Sequence, residues 1–411
     1  MNLTGGLHLA YCTNIHRGES WGETMANLER YTLAVRSAVC PKEEYAIGLR
    51  LSEQAARELS DPPVLKAFRT WLQDNDCYVF TINGFPYGRF HGTRVKEQVY
   101  RPDWTNSARL EYTKLLFDIL AQLVPDGVEG SVSTVPGSFK EFITSPEQER
   151  AMRDQVWACV EYVAALSKKC RRGLHLGLEP EPLCYLETSA ETVRFFEQLR
   201  SEHPGDGRIN DHLGVNYDTC HLAVEFEEPH DVLARFRSNG IRVSKLHLSS
   251  ALKVRPTPEV RKSLAAFCDS VYFHQVISKD AEGKLHRYPD LDVALATAAS
   301  DGSSSEWRIH FHIPLHSRPA AFFDSSTSRH QMDFMSELSQ SSFDNTTDHL
   351  CGALDVLGRE PGLCSHLEME TYTWEVLPPE LKKREVVDQL IAEYGWTLDQ
   401  LAKRGLRPIG I

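Results

Sequence analysis

The sequence lacks the long apolar run that a membrane-spanning helix requires. No stretch of its 411 residues approaches about 18 consecutive apolar positions, and its start has neither the basic residues nor the apolar segment of a signal peptide. An excess of basic residues is also missing, because 45 Lys and Arg face 57 Asp and Glu, a net charge of -12. These absences predict a soluble cytoplasmic protein. They argue against nonspecific nucleic-acid binding, which depends on cations that neutralise phosphates.

Paired cysteines are missing as well. The ten cysteines are scattered, and no two of them form a C-x-x-C pair. This spacing favours reduced, buried thiols over a disulfide framework or a cysteine-based zinc site. The chain is long enough for a substantial core, and nothing in its composition sets an oligomeric state.

What the chain does contain is an alternation of short β-rich runs with longer helical patterns. The segment 147–170, for example, carries apolar residues at helical spacing. Alternation on this scale predicts parallel strands joined by crossover helices. The nine candidate strands are residues 7–15, 45–51, 77–83, 130–135, 174–179, 213–218, 243–249, 307–313 and 365–373.

Eight strand–helix units close a TIM (β/α)8 barrel, which needs about 250 residues. The sequence therefore predicts one α/β barrel domain over residues 1–411, with insertions late in the chain. Nine candidate strands compete for eight barrel positions, and the sequence leaves open which of them lies outside. A hairpin insertion is predicted at 270–290. A mobile loop or lid is predicted at 317–345, because this segment is rich in Ser and poor in apolar residues.

Residue types that bind metals stand where the later candidate strands end. Glu179 ends the fifth strand, Asp218 ends the sixth, His247 lies in the seventh and Glu370 lies in the last. In a TIM barrel, side chains at the carboxyl ends of strands converge on one site. Three carboxylates and one imidazole suit Mn, Zn, Fe, Co or Mg, and the oxygen majority favours Mn or Mg. The sequence therefore predicts a divalent-metal site.

Two parts of this site stay open at the level of sequence. The last ligand position could belong to Glu368, Glu370 or His312. His310 and His312 share one strand face at period two, which indicates either a second metal position or imidazoles that simply line the barrel.

The ligand pattern also resembles a known group of barrels. The order Glu179, Asp218-x-x-His221, His247 and Glu370 on consecutive strands is similar to the xylose isomerase-like proteins. That group includes ketose 3-epimerases, sugar isomerases and DNA-repair enzymes of the endonuclease IV type. The resemblance implies a TIM barrel, with Glu179, Asp218, His247 and Glu370 as the metal ligands. It implies that His221 contacts substrate, as in the epimerases, or metal, as in the endonucleases.

Several longer sequence motifs resemble those of the EboE proteins. These are barrel proteins of the bacterial ebo cluster, which is associated with the transport of secondary-metabolite precursors. The similarity covers nearly the whole chain. It implies a small-molecule metabolite as ligand and other ebo-cluster proteins as candidate partners. The motifs are residues 11–16 (YCTNIH), 48–52 (GLRLS), 83–88 (NGFPYG), 90–92 (FHG), 95–97 (VKE), 100–104 (YRPDW) and 370–374 (ETYTW).

Three further residues are candidates for substrate binding beside His221. His91 lies in the loop after the third candidate strand, at the face where the site is expected. Lys245 shares a strand face with His247, which makes it a candidate either for a substrate contact or for a buried pair with a ligand carboxylate. His312 is the third of these candidates.

The favoured hypothesis is a metal-dependent isomerase or epimerase acting on a hydroxy-carbonyl or sugar-like metabolite. In the related epimerases two opposed, metal-bound Glu residues move the proton alpha to a carbonyl, and the resemblance assigns this work to Glu179 and Glu370. Two alternatives stay open: a barrel that binds and transfers a metabolite without catalysis, and a metal-dependent phosphodiesterase of the endonuclease IV type. Fold does not separate them, because function lies in the site.

Overall fold

Eight parallel strands form the centre of the molecule. The computed structural model describes residues 1–88, 96–265, 268, 274–297, 304–317, 343–372 and 385–410. Within these residues the strands follow one another around the sheet in chain order, and the predicted α/β barrel is confirmed. From first to eighth, the barrel strands are Leu7–Tyr11, Tyr45–Arg50, Cys77–Asn83, Gly130–Thr134, Leu174–Leu178, Leu213–Asp218, Arg242–Leu248 and His366–Met369.

The barrel closes between its first two strands by a single parallel bridge from Cys12 to Gly48. The eighth strand pairs in parallel with both the first and the seventh, which completes the circle on the other side. A short strand, Asn2–Leu3, pairs antiparallel with the first barrel strand outside this circle. The narrow closure leaves room for no side chain at Gly48, where an added Cβ would overlap Oε1 of Glu368.

Helices connect and surround the strands. Every residue of the second, third and sixth barrel strands is buried, because the barrel interior covers one face of each strand and helices cover the other. Strands covered on both faces favour the near-continuous apolar runs seen in the sequence. The helices are Trp21–Asn27, Leu33–Val39, Glu53–Leu59, Pro62–Asp74, Ser107–Leu123, Pro146–Cys170, Ser189–Glu202, Arg208–His212, Thr219–Val224, Pro229–Ser238, Pro258–Leu264, Leu291–Thr297, Thr347–Arg359 and Val386–Ala402.

A second sheet is inserted between the seventh and eighth barrel strands. Its five strands are all antiparallel and have their own apolar cluster, which includes Trp307, Phe311 and Phe343. In sheet order they are Leu285–Tyr288, Val276–Asp280, Ser304–Ile309, Leu252–Val254 and Phe343–Asn345.

This sheet settles which candidate strand lies outside the barrel. The candidate at 307–313 belongs to the insertion, and the candidate at 365–373 contains the eighth barrel strand. An antiparallel hairpin lies within the segment 270–290. Of the predicted lid at 317–345, residues 318–342 lie outside the described residues.

Ion pairs join the insertion to the barrel. Arg287 donates to the carboxylates of Glu187, at 2.6 Å, and Glu225, at 2.5 Å. Both glutamates are buried and follow barrel strands five and six. A guanidinium that pairs with two buried carboxylates holds a fixed geometry, because leaving either carboxylate unpaired is costly. In the described part of the chain, no helix combines the length and apolar character needed to cross a membrane.

Replacement of Gly48 by Ala tests the barrel closure. The new Cβ would overlap the Glu368 carboxylate and lie 2.7 Å from the backbone oxygen of Tyr11, so we expect a loss of about 1–3 kcal/mol or more in the free energy of unfolding, measured by urea denaturation. Gly22→Ala is the matched control, because Gly22 lies in an exposed helical position with nothing within 4 Å of the added atom. Equal stability of the two variants would contradict the tight closure.

Candidate metal centre

Four predicted ligands meet at the carboxyl ends of barrel strands five to eight. Glu179, Asp218, His247 and Glu370 each bring one ligand atom into a group whose members all lie within 4.8 Å of one another. All four residues are buried. The structure thus brings together side chains that are up to 191 positions apart in the sequence, Glu179 and Glu370 being the extremes.

The orientation of His247 is set from below by Glu368. Nε2 of His247 lies 2.7 Å from Oε2 of Glu368, and since a carboxylate only accepts, this nitrogen carries the proton. Nδ1 then faces Oε1 of Glu179 at 3.0 Å, Oε2 of Glu370 at 3.0 Å and Oδ2 of Asp218 at 3.6 Å. In the neutral ring Nδ1 can accept from Nδ2 of Asn216 at 3.2 Å, but its other neighbours are carboxylate oxygens, and a proton or a metal ion at this point would stabilise the arrangement.

The electrostatics of His247 reflect the same shortage of positive charge. Burial alone would lower the pKa of this imidazole, but the carboxylates of Glu370 and Glu179 outweigh burial and raise the pKa well above its usual value. The surrounding carboxylates therefore favour a positive charge at this point, whether a proton or a metal ion supplies it.

Asp218 presents one occupied and one open oxygen. Oδ1 accepts from the backbone N–H groups of Cys220 and His221, at the start of the helix Thr219–Val224, and from Oγ of Ser249 at 2.6 Å. Among the described residues Oδ2 is buried without a hydrogen-bond partner. An orphaned carboxylate oxygen beside an imidazole nitrogen and two more carboxylates fits a divalent cation in donor type and charge.

Hydrogen bonds from two amide side chains orient the carboxylate of Glu370. Nδ2 of Asn14 and Nδ2 of Asn83 donate to its Oε1, at 2.6 and 3.2 Å, which leaves Oε2 directed at His247. Burial would raise the pKa of Glu370, but the attraction of His247 lowers it below its usual value. Glu370, rather than Glu368 or His312, is therefore the last residue to join the four-residue group.

Lys245 lies beneath the cluster. Its ammonium group donates to Oε2 of Glu368 at 2.5 Å and to Oγ of Ser133 at 2.9 Å, and its side chain is fully buried. Burial would raise the pKa of Glu368, but Lys245 and His247 lower it to about 2. Of the two roles open for Lys245, this placement matches the buried pair, so the predicted substrate contact is replaced by a positioning role.

A cavity opens onto the cluster. Its walls combine aromatic rings with amide, carboxylate and imidazole groups, a lining typical of small-molecule sites. The lining residues are Asn14, Phe85, Pro86, Lys96, Val99, Tyr100, Glu179, Glu181, His221, Gln275, His310, Glu370 and Tyr372.

The predicted histidines are distributed unequally around this cavity. His221 lines it, and so does His310 from the insertion. His312 is fully buried beside them, with Nε2 3.3 Å from Nε2 of His221. His91 lies outside the described residues.

Some residues of the site were not predicted from the sequence. Tyr100 donates to Oε1 of Glu181 at 2.6 Å and accepts from the amide of Gln275, and Asn83 supports Glu370. Asn83 could have been found, because it ends the third strand as Asp218 ends the sixth. Gln275 lies in the insertion, and no sequence pattern connects it with the barrel mouth.

Fold and site together define an α/β barrel with a candidate divalent-metal centre at the carboxyl ends of its strands. No protein-family model matches the sequence, and no curated protein matches it.

Several solved structures are similar to this chain at low identity. The IolI protein with a bound zinc atom is 12% identical over 97% of this chain and 99% of that chain, with a TM-score of 0.46. The probable 3-DHS dehydratase AsbF from Bacillus anthracis is 10% identical over 95% and 98%, with a TM-score of 0.44. A xylose isomerase-like TIM barrel protein from Mycobacterium smegmatis in complex with magnesium is 14% identical over 97% of each chain, also at 0.44.

The support of the site by the C-terminal helix gives a pH prediction. Glu393 accepts from Oγ1 of Thr371 and from the backbone of Leu315, and burial raises its pKa from 4.5 to about 7. The folded state therefore holds this proton more tightly than the unfolded state, so stability should fall as pH rises from 4.5 through 7. Glu393→Gln keeps both acceptor contacts and should be more stable than wild type at pH 8 by about 1–3 kcal/mol, but not at pH 4.5. An unchanged pH dependence of the melting curve in this variant would contradict the assignment.

Asp218→Asn tests the cluster itself. The amide keeps the oxygen that caps the following helix but replaces the open carboxylate oxygen with a donor, so we expect metal retention to be lost while circular dichroism stays near that of wild type. The melting temperature should drop to that of chelator-treated wild type, because a bound ion stabilises only the folded state. Asp231→Asn, at an exposed helical position, is the matched control. Full metal content in Asp218→Asn, measured by elemental analysis, would refute this site.

Proposed function

We propose that this chain is a divalent-metal-dependent isomerase or epimerase that acts on a small hydroxy-carbonyl or sugar-like metabolite. The observation that carries the proposal is the pair Glu179 and Glu370, whose carboxylates approach one imidazole nitrogen from different strands and line the same cavity. Within this proposal the chain belongs to the xylose isomerase-like barrels. The proposal also takes the substrate from the precursors of secondary metabolites and the partners from the ebo-cluster proteins, and the sequence motifs shared with the EboE proteins support this part of it.

The residues proposed to hold the ion are Glu179, Asp218, His247 and Glu370. A divalent ion bound there supplies a Lewis acid that polarises a substrate carbonyl. Mn and Mg suit the three oxygen ligands, and Zn, Fe and Co suit the mixed set.

Proton transfer is the work of the two glutamates. Glu370 is held ionised, since His247 lowers its pKa, and Asn14 and Asn83 fix the direction of its carboxylate. For epimerisation, one carboxylate would take the proton alpha to the carbonyl, and the other, starting as its protonated acid, would donate its own proton to the opposite face of the same carbon. For isomerisation, the carboxylate that took the proton would return it to the neighbouring carbon, while the proton of the adjacent hydroxyl moves to the former carbonyl oxygen. Two bases aimed at one substrate from two strands are what this reaction needs.

The cavity wall fits a polyhydroxylated ligand. The rings of Phe85, Tyr100 and Tyr372 offer surfaces for the C–H faces of such a molecule. His221, whose Nδ1 donates to the backbone of Pro180, presents its other ring nitrogen within the cluster, and is proposed as a polar contact at the substrate end of the site.

Deuterium exchange tests the reaction. Metal-loaded protein should incorporate deuterium from heavy water at the alpha carbon of at least one member of a ketose and hydroxy-ketone panel, followed by NMR or mass spectrometry. Glu179→Gln and Glu370→Gln should lower the exchange rate by about 10²–10⁴-fold at saturating metal, because each removes a positioned base. Glu259→Gln, on an exposed helical turn, should leave the rate unchanged.

Other outcomes identify the alternatives. Tight, stoichiometric binding of a panel member without exchange would overturn catalysis and support a metabolite-binding barrel. Metal-dependent nicking of abasic DNA would support a phosphodiesterase. Metal content is measured for each glutamate variant, so that loss of the ion is not mistaken for loss of the base.

A further inference from the structure

Glu181 is a buried carboxylate of the cavity wall that the proposed reaction does not use. It is 5% exposed and lines the cavity. One of its oxygens lies within 4.8 Å of a ring nitrogen of His221, which places it beside the candidate metal centre. Oε1 accepts from the hydroxyl of Tyr100 at 2.6 Å, whereas Oε2 accepts no hydrogen bond from the described residues. A buried carboxylate oxygen without a donor, in the wall of a cavity, points to a donor on the ligand.

The charge of Glu181 has no cationic side chain to balance it. In the described part of the chain, no Lys or Arg forms an ion pair with this carboxylate. Nδ1 of His310 lies 3.8 Å from its Oε1 but hydrogen-bonds to Gln275 instead. Lys96 also lines the cavity, and its ammonium group is paired with Asp290. Burying an ionised carboxylate is costly unless a cation compensates it, so a cation supplied by the ligand would stabilise this part of the wall.

The cavity keeps a negative charge even when the metal centre is occupied. A divalent ion would offset two of the three charges of Glu179, Asp218 and Glu370, and His247 is neutral when it binds an ion through Nδ1. The charge of Glu181 adds to the one that remains. A cleft lined by charges of one sign attracts ligands of the opposite sign, so this cavity favours a cationic ligand over an anionic one.

Aromatic rings adjoin the same carboxylate. Tyr100 packs between Phe85 and Phe139, at centroid distances of 5.7 and 5.3 Å and interplanar angles of 18° and 13°. Phe85, at one end of this stack, is partly buried and lines the cavity. Gln275 donates to the hydroxyl of Tyr100 at 2.9 Å, which leaves the phenolic hydrogen for Glu181. A carboxylate beside aromatic rings binds organic ammonium groups through ion pairing and cation–π attraction.

We propose that the substrate carries a protonated primary amine, which binds between Glu181 and the ring of Phe85 while the hydroxy-carbonyl end faces the metal centre. An ammonium group is a donor only, so it matches an oxygen that lacks a donor and a charge that lacks a cation. The substrate class is then an amino-substituted sugar or polyol. This inference rests on the proposed function, because it takes the cavity as the substrate site. Gln275 comes from the insertion, so the complete amine subsite exists only where the insertion meets the barrel.

Matched pairs of probes test the charge. D-glucamine differs from D-sorbitol by an ammonium group in place of one hydroxyl, and 1-amino-1-deoxy-D-fructose differs from D-fructose in the same way. In at least one pair, wild-type protein in manganese buffer should bind the amine about 10–100-fold more tightly, measured by isothermal titration calorimetry, because hydrogen bonds to charged groups contribute this much. Glu181→Gln keeps an oxygen for Tyr100 but loses the charge, and should bring the ratio close to one. Glu197→Gln, at an exposed helical position, is the matched control and should keep the wild-type ratio.

Tyr100→Phe provides a second variant if Glu181→Gln folds poorly. It keeps the ring, removes the hydrogen bond to Oε1 and should lower the ratio. Circular dichroism and metal content are measured for each variant, so that loss of the fold or of the ion is not mistaken for loss of the subsite.

The outcomes separate the amine subsite from the proposed reaction. Equal or weaker binding of the amine in both pairs would overturn the subsite, and so would an unchanged ratio in folded Glu181→Gln. A preference for the amine without deuterium exchange would support the subsite and count against the reaction. Exchange on a neutral ketose without any preference for the amine would support the reaction and overturn the subsite.

Discussion

The structure depends on how four carboxylates are kept in one buried volume. Glu179, Asp218, Glu368 and Glu370 surround His247, and among the described residues Lys245 is the ammonium that reaches them. Burying an ionised group costs several kcal/mol unless charge and hydrogen bonds compensate it. In the lower half of this volume, the negative charge of Glu368 is compensated, because Lys245 and the imidazole N–H of His247 both face its carboxylate. The three carboxylates of the upper half form their described ion pairs with imidazoles alone, and a proton or a metal ion among them would offset the negative charge.

The sequence was sufficient to predict the barrel and the four side chains that cluster at its mouth, and the reason is physical. Parallel strands buried on both faces are near-continuous apolar runs, so the point where a run ends in Glu179 or Asp218 is visible without any structure. How deep a side chain lies along its strand, and so how far it is from the barrel mouth, is harder to predict. Glu368 and Glu370 share one face at period two, and only the pairing of the eighth strand with the seventh shows that Glu368 lies below His247 and Glu370 level with its Nδ1.

The insertion marks the limit of the sequence argument. Residues 307–313 and 365–373 are segments of similar length in which apolar and polar residues alternate, and periodicity does not distinguish a strand of an antiparallel insertion from a barrel strand. Their difference lies in partners far along the chain: Trp307 pairs with Val254 and Ser278, whereas Leu367 pairs with Leu246. Contacts at such separations are set by the whole topology, and so are the neighbours of His310 and His312.

Barrel and insertion supply different chemistry to the same cavity. The barrel strands contribute the carboxylates of the candidate metal centre, positioned by the pairing of the sheet, whereas the insertion contributes the imidazoles of His310 and His312. The two parts are joined at the site itself, because His312 donates to the backbone oxygen of Glu370. They are joined again at its edge, where Arg287 bridges Glu187 and Glu225. Displacing the insertion would therefore leave two buried carboxylates without their arginine and release a constraint on a glutamate of the candidate metal centre. A function that depends on this junction between barrel and insertion is a property of this chain, and the barrel fold alone would not predict it.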